Sequence, residues 1–133
     1  MITRTLFHTC LLVLLCGNAQ AQERMDAEAF DAYVTGRTIT FRTDINPTYG
    51  TERYMEGQRV MWSSAAGICQ YGVWFESKGD ICFRYEGDPE HKCWTVYDEP
   101  SGLRGVYTTR PPFTVIYEVT ERTEPLICND LSS

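Results

Sequence analysis

The sequence predicts an all-β protein: eight short antiparallel strands in up-and-down order, curled into a barrel or a strongly curved meander, after one short helix. Three observations carry this. Apolar residues alternate with period two through successive segments from residue 36 onward. Gly, Pro, Asn and Asp interrupt those segments at short, regular intervals, so consecutive strands lie side by side. The chain is also dense in aromatic residues, with 8 Tyr, 6 Phe and 3 Trp. Its 133 residues make one domain and exclude a two-domain enzyme or an α/β barrel of ~250 residues.

Residues 1–21 read as an export signal. Arg4 supplies the positive start, Leu6 to Cys16 form an apolar run, and Ala19-Gln20-Ala21 is a cleavage site. The run is too short to span a bilayer of ~30 Å, and Glu23, Arg24 and Asp26 follow at once. Cys16 is a poor lipidation site because Leu15, not a small residue, precedes it. Cleavage leaves residues 22–133 as a single domain in the periplasm or secreted, with no membrane span. It removes one basic and no acidic residue, leaving 11 against 18 and a formal net charge of -7. Such a balance disfavours nucleic acid and anionic membranes as partners and suits a basic protein.

Residues 26–36 read as the helix. Asp26 caps its start, Ala29, Phe30, Tyr33 and Val34 share one face, and Gly36 stops it. The strands follow over 36–42, 49–55, 58–64, 67–76, 80–86, 91–98, 103–109 and 113–120. Ile39 and Phe41 share a face, as do Val60 and Trp62. Segment 49–55 is polar, and 67–76 is apolar on both faces. Segment 113–120 alternates most cleanly, with Phe113, Val115, Tyr117 and Val119 together. A closed eight-strand barrel has an interior that holds side chains or one small ligand.

Four cysteines survive cleavage, and an even number in an exported chain implies two disulfides. A hairpin centred between Gly87 and Asp88 sets Cys82 opposite Cys93, within disulfide reach. Cys69 then pairs with Cys128. The same register sends Ile81, Phe83, Trp94 and Val96 to one face. Cys82, Arg84, Cys93, Thr95 and Tyr97 go to the other, so the bridge staples the outside. A metal at Cys82, His91 and Cys93 lacks a fourth ligand at zinc-like spacing. Asp44 with Asn46 offers too few oxygens for calcium. No cofactor is expected.

Catalytic patterns are sparse. His91 is the one histidine after residue 21 and sits at a hairpin end. There is no G-x-S-x-G elbow, P-loop, dinucleotide glycine pattern or H-E-x-x-H. Asp98 and Glu99 are strand neighbours that point to opposite faces, so they do not converge on a glycosidic bond. A non-enzymatic role is expected. Of the aromatics on predicted strands (Trp62, Trp74, Trp94, Tyr71, Tyr85, Tyr97), Trp62, Trp74 and Tyr85 are candidates to line a binding mouth. Arg59 and Arg104 are candidate anchors for an anionic group, provided they point inward, and Arg84 has the same strand setting.

Over 67–96 the order G-x-C-x-x-G-x-W-x-E, then I-C-F-x-Y, then C-W-x-V-Y resembles small exported alphaproteobacterial proteins of unknown function. More distantly it is similar to a domain-of-unknown-function family of outer-membrane lipoproteins. That resemblance covers about residues 36–128 and implies a small lipocalin-like or streptavidin-like barrel. It implies no activity and transfers no site residue. The functional expectation is a monomer that binds a small or apolar ligand in the periplasm of a Gram-negative bacterium. The alternative is a protein-binding module, such as an inhibitor of a lysozyme or protease that attacks the envelope.

Overall fold

A computed structural model describes residues 22–64, 67–121 and 125–128. The export signal, with Cys10 and Cys16, lies outside the described residues. The chain forms helix α1 (Ala27–Val34) and strands β1 (Thr38–Arg42), β2 (Gly50–Met55), β3 (Arg59–Ser64), β4 (Cys69–Ser77), β5 (Asp80–Tyr85), β6 (Lys92–Glu99), β7 (Gly102–Tyr107) and β8 (Val115–Glu118). All eight strands pair antiparallel in chain order, and β8 returns to β1 to close the barrel. Closure leaves no sheet edge, the feature that makes open sheets prone to pairing with other chains.

Two kinds of connection mark the two ends. At one end β2–β3, β4–β5 and β6–β7 turn tightly. Lys78 and Gly79 make the β4–β5 turn with φ of 53° and 81°. A two-residue hairpin turn of that handedness matches strand twist, and glycine takes the second position without strain. At the other end residues 43–49, 86–91 and 108–114 form longer loops.

Helix α1 lies at the tight end. Asp26 accepts a hydrogen bond from the Ala29 amide at 2.8 Å, capping it as the sequence predicts. Past the helix, Gly36 takes a φ of 84° and its amide donates to the Tyr54 carbonyl at 2.9 Å. Phe30 and Val34 are buried. The Phe30 ring meets Trp74 edge-on at 5.0 Å and Tyr54 at 5.8 Å, so the helix plugs the barrel. The segment before the helix mends a gap. β5 pairs with β6 only up to Trp94, and beyond it Met25 donates to the Val96 carbonyl while Arg24 bridges to Tyr97.

The inward residues include Ile39, Phe41, Glu52, Tyr54, Val60, Trp74, Ile81, Phe83, Val96, Leu103 and Ile116, all buried. One face differs from a purely apolar reading of the pattern. In 113–120 the apolar set Val115 and Tyr117 faces outward, and Ile116 and Glu118 face the interior. The reason is a polar socket. Glu118 accepts from the Tyr33 hydroxyl at 2.7 Å, the Leu103 amide at 2.9 Å and the Arg37 guanidinium at 2.7 Å. Outside, Arg42 covers the Tyr117 ring at 4.7 Å.

Both expected disulfides form. Cys82 and Cys93 are directly opposite in β5 and β6, with Cα atoms 4.0 Å apart. Cys69 and Cys128 have Cα atoms 5.4 Å apart and hold residues 125–128 against the outer wall, where Ser63 donates to the Ile127 carbonyl at 3.1 Å. The bridges close separations of 11 and 59 residues. Replacing Cys82 and Cys93 together by Ala is expected to cost about 3 kcal/mol of stability, and replacing Cys69 and Cys128 about 4 kcal/mol. Urea unfolding of the two double variants against the oxidised parent measures this.

Candidate functional site

The barrel interior is not filled. A cavity of about 290 Å³ runs from the helix plug to the end with the longer loops. Its floor is Phe30, Val96 and Leu103. Phe41, Tyr54, Trp62, Phe83, Tyr85 and Trp94 form its aromatic wall, and Tyr49, Gln70, Lys92, Tyr107, Arg110, Thr114 and the cis Pro111-Pro112 pair surround the mouth.

Inward glycines make the space. An added Cβ at Gly50 would come within 2.1 Å of the Trp62 indole, so Trp62 lies directly over that strand position. Tyr49 packs on Trp62 with ring centroids 5.8 Å apart. Gly105 of β7 opens onto the cavity between Ile116 and Trp94. Trp94 leans on Tyr107 at 4.9 Å, and the Phe83 and Tyr85 rings stack at 6.1 Å.

One acid stands in this wall. Glu52 is inward on β2, opposite Ile39 of β1 and Trp62 of β3, and only 1% exposed. The Tyr85 hydroxyl lies 3.1 Å from each of its carboxyl oxygens. Burial pushes the Glu52 carboxyl well above its usual range, and the Tyr85 hydrogen bond opposes this only in part. Burial and the nearby carboxyl likewise push Tyr85 and Tyr54 well up. The site thus holds a carboxyl group among aromatic rings, and its burial favours the protonated form.

The mouth is charged and internally paired. Glu90 accepts from Arg110 at 3.0 and 3.2 Å and from Lys92 at 2.9 Å; Lys92 also pairs with Asp88 at 3.1 Å. These bonds pull the Glu90 carboxyl down to about 2, with Arg110 the larger cause and Lys92 the next. They tie the loop at 86–91 to the loop at 108–114 across the rim.

The candidates from the sequence separate cleanly. Trp62 and Tyr85 line the cavity. Trp74 does not: it is buried at the plugged end against Phe30, and its Nε1 has no hydrogen-bond partner among the described residues. Arg59 and Arg104 point outward and anchor nothing in the interior. Arg59 donates to the Glu56 carbonyl at 3.1 Å, and Arg104 lies over the Tyr97 ring at 4.3 Å and pairs with Glu99. Their strand parity decides it, since Val60, Leu103 and Gly105 beside them take the inward places. Arg84 is exposed on the outer wall. Sequence reading missed Glu52. Its signal is parity: it shares a face with Tyr54 and lies across from Trp62.

A carboxyl raised on folding favours the native state at low pH and opposes it as pH rises. Between the unfolded value near ~4.3 and the higher folded value, the native state holds a proton that the unfolded state has lost. Stability therefore falls with pH there, at up to about 1.4 kcal/mol per pH unit from this group. Glu52→Gln is expected to match the parent near pH 4 and exceed it at pH 8. Chemical denaturation of both proteins across that range measures the difference in slope.

No family model matches this chain, and no curated protein or solved structure matches it, so the cavity is read from its own geometry.

Proposed function

We propose that this chain is exported to the periplasm of a Gram-negative bacterium and there binds a small, largely apolar ligand inside its barrel without transforming it. The observation that carries the reading is the aromatic-walled cavity of about 290 Å³, closed by Phe30 at one end and reached through the loops at the other. Ligand sites are mostly apolar concavities of roughly 300–1,000 Å³ with a few placed polar groups, which puts this one at the compact end. Two disulfides fit an oxidising compartment. Among the described residues no helix is long and apolar enough to cross a membrane.

A neutral apolar dye, N-phenyl-1-naphthylamine, tests this directly. Its emission is expected to rise on titration into the oxidised protein. Gly105→Leu places a side chain in the cavity and is expected to weaken the dye at least tenfold. An unchanged titration with the variant, or no binding by the parent, removes the reading.

A second reading, docking on a basic envelope-attacking hydrolase, is favoured by the open rim. Ile45 is 96% exposed, and Ile68 and Phe113 are 59% exposed, each beside or within a connection at that end. On this reading a stoichiometric amount of the protein lowers lysozyme activity, and the triple variant Ile45→Ser, Ile68→Ser, Phe113→Ser does not. Unchanged lysozyme activity with the parent counts against it for that enzyme class.

A further inference from the structure

Resting on the ligand-binding reading above, we propose that the cavity is built for a compact arylalkylamine whose ammonium group sits at Glu52, beside the rings of Trp62 and Tyr85. Glu52 is the one acid in the cavity wall among the described residues, and Tyr85 is its one side-chain hydrogen-bond donor there. A carboxylate has about four acceptor sites, and Tyr85 takes up only part of that capacity. Aromatic faces attract a cation most strongly where water is excluded, and Trp62, Tyr54 and Tyr85 surround this carboxyl.

The rest of the wall excludes the opposite polarity. Lys92 and Arg110 are the cations at the mouth, and Asp88 and Glu90 already hold them. An anionic ligand would have to break those pairs to gain a partner. The chain's net charge of -6 draws cations toward it. The cavity of about 290 Å³ limits the occupant to one or two rings and a short amine arm.

Burial favours the protonated form of Glu52 in the empty site. An incoming ammonium supplies the missing counter-charge and favours the ionised form; a carboxyl that is protonated when the ligand arrives then gives up its proton to solvent. Affinity for the amine therefore rises with pH, by up to tenfold per unit while the empty site is protonated. The other groups around Glu52 keep their charge from pH 5 to 8. Ile39 of β1 and Trp62 of β3 are neutral. Tyr54 on its own strand, Tyr85 of β5 and Tyr49 at the mouth are all raised. Toward the mouth Lys92 and Arg110 are raised and Glu90 is low; toward the plug, Arg37 is raised where it meets Glu118.

Calorimetric titration at pH 7 of 2-phenylethylamine, 2-phenylethanol and phenylacetate into the oxidised protein tests the proposal. The amine is expected to bind at least tenfold tighter than the alcohol, and phenylacetate more weakly than either. Repeating the amine titration in two buffers of different protonation enthalpy is expected to show proton release with the amine and none with the alcohol. Glu52→Gln is expected to erase the amine preference. A Glu52 that only braced the barrel would not move that ratio. Equal binding of amine and alcohol, or a preference that survives Glu52→Gln, overturns the proposal. Where the variant fails to fold, the amine-to-alcohol ratio of the parent decides. If N-phenyl-1-naphthylamine binds while the amine shows no preference, this inference falls and the cavity reading stands. If neither the dye nor any of the three compounds binds, both fall.

Discussion

The edge-on seating of Phe30 against Trp74 is the contact on which the interior depends. A closed ring of eight strands has an interior that its inward side chains can just fill or that can hold one small ligand. Here one end is filled from outside the sheet. Phe30 reaches in from α1, meets Trp74, Tyr54 and Phe83, and becomes the cavity floor. The plug makes the interior a cup with one mouth, and it keeps water from the buried face of Glu52.

The two inward acids show how the ends are specialised. Glu118 lies where α1, the α1–β1 connection and β7 converge, and it collects donors from each: Tyr33, Arg37 and the Leu103 amide. Those bonds tie the helix to the β1–β8 seam, which has only two paired positions. Glu118 is thus consumed by structure. Among the described residues Glu52, further along the interior, has a single phenolic donor and no cation. A buried carboxyl with so few partners gives up stability at neutral pH, the pattern expected of a group retained for what it binds.

The architecture was legible because period-two alternation and turn chemistry are local signals. The Cys82–Cys93 bridge was legible too, since the hairpin turn sets the register that makes those residues opposite. Segment 113–120 shows where parity alone fails. Its apolar residues face outward because the inner position is claimed by Glu118, and that demand comes from a helix some eighty residues away in sequence. Arg59 and Arg104 needed the same knowledge of parity. Glu52 looked like one more polar residue in a polar strand. Only the pairing of β2 with β3, which puts it across from Trp62, and the distant reach of Tyr85 reveal it as an interior group.

The position of Tyr85 depends on a glycine two links removed from the site. Gly72 of β4 lies directly opposite Tyr85 of β5, and a Cβ there would come to 2.9 Å from the Tyr85 ring and 2.4 Å from the Arg84 carbonyl. The bare backbone lets the phenol lie down over β4 and β3 and deliver its hydroxyl to Glu52 on β2. Gly50 does the same for Trp62. Large rings laid over bare strand positions thus both line the cavity and carry the Tyr85–Glu52 hydrogen bond. The inward glycines, which weaken strands by loss of side-chain packing and by entropy, let those rings lie flat around the cavity.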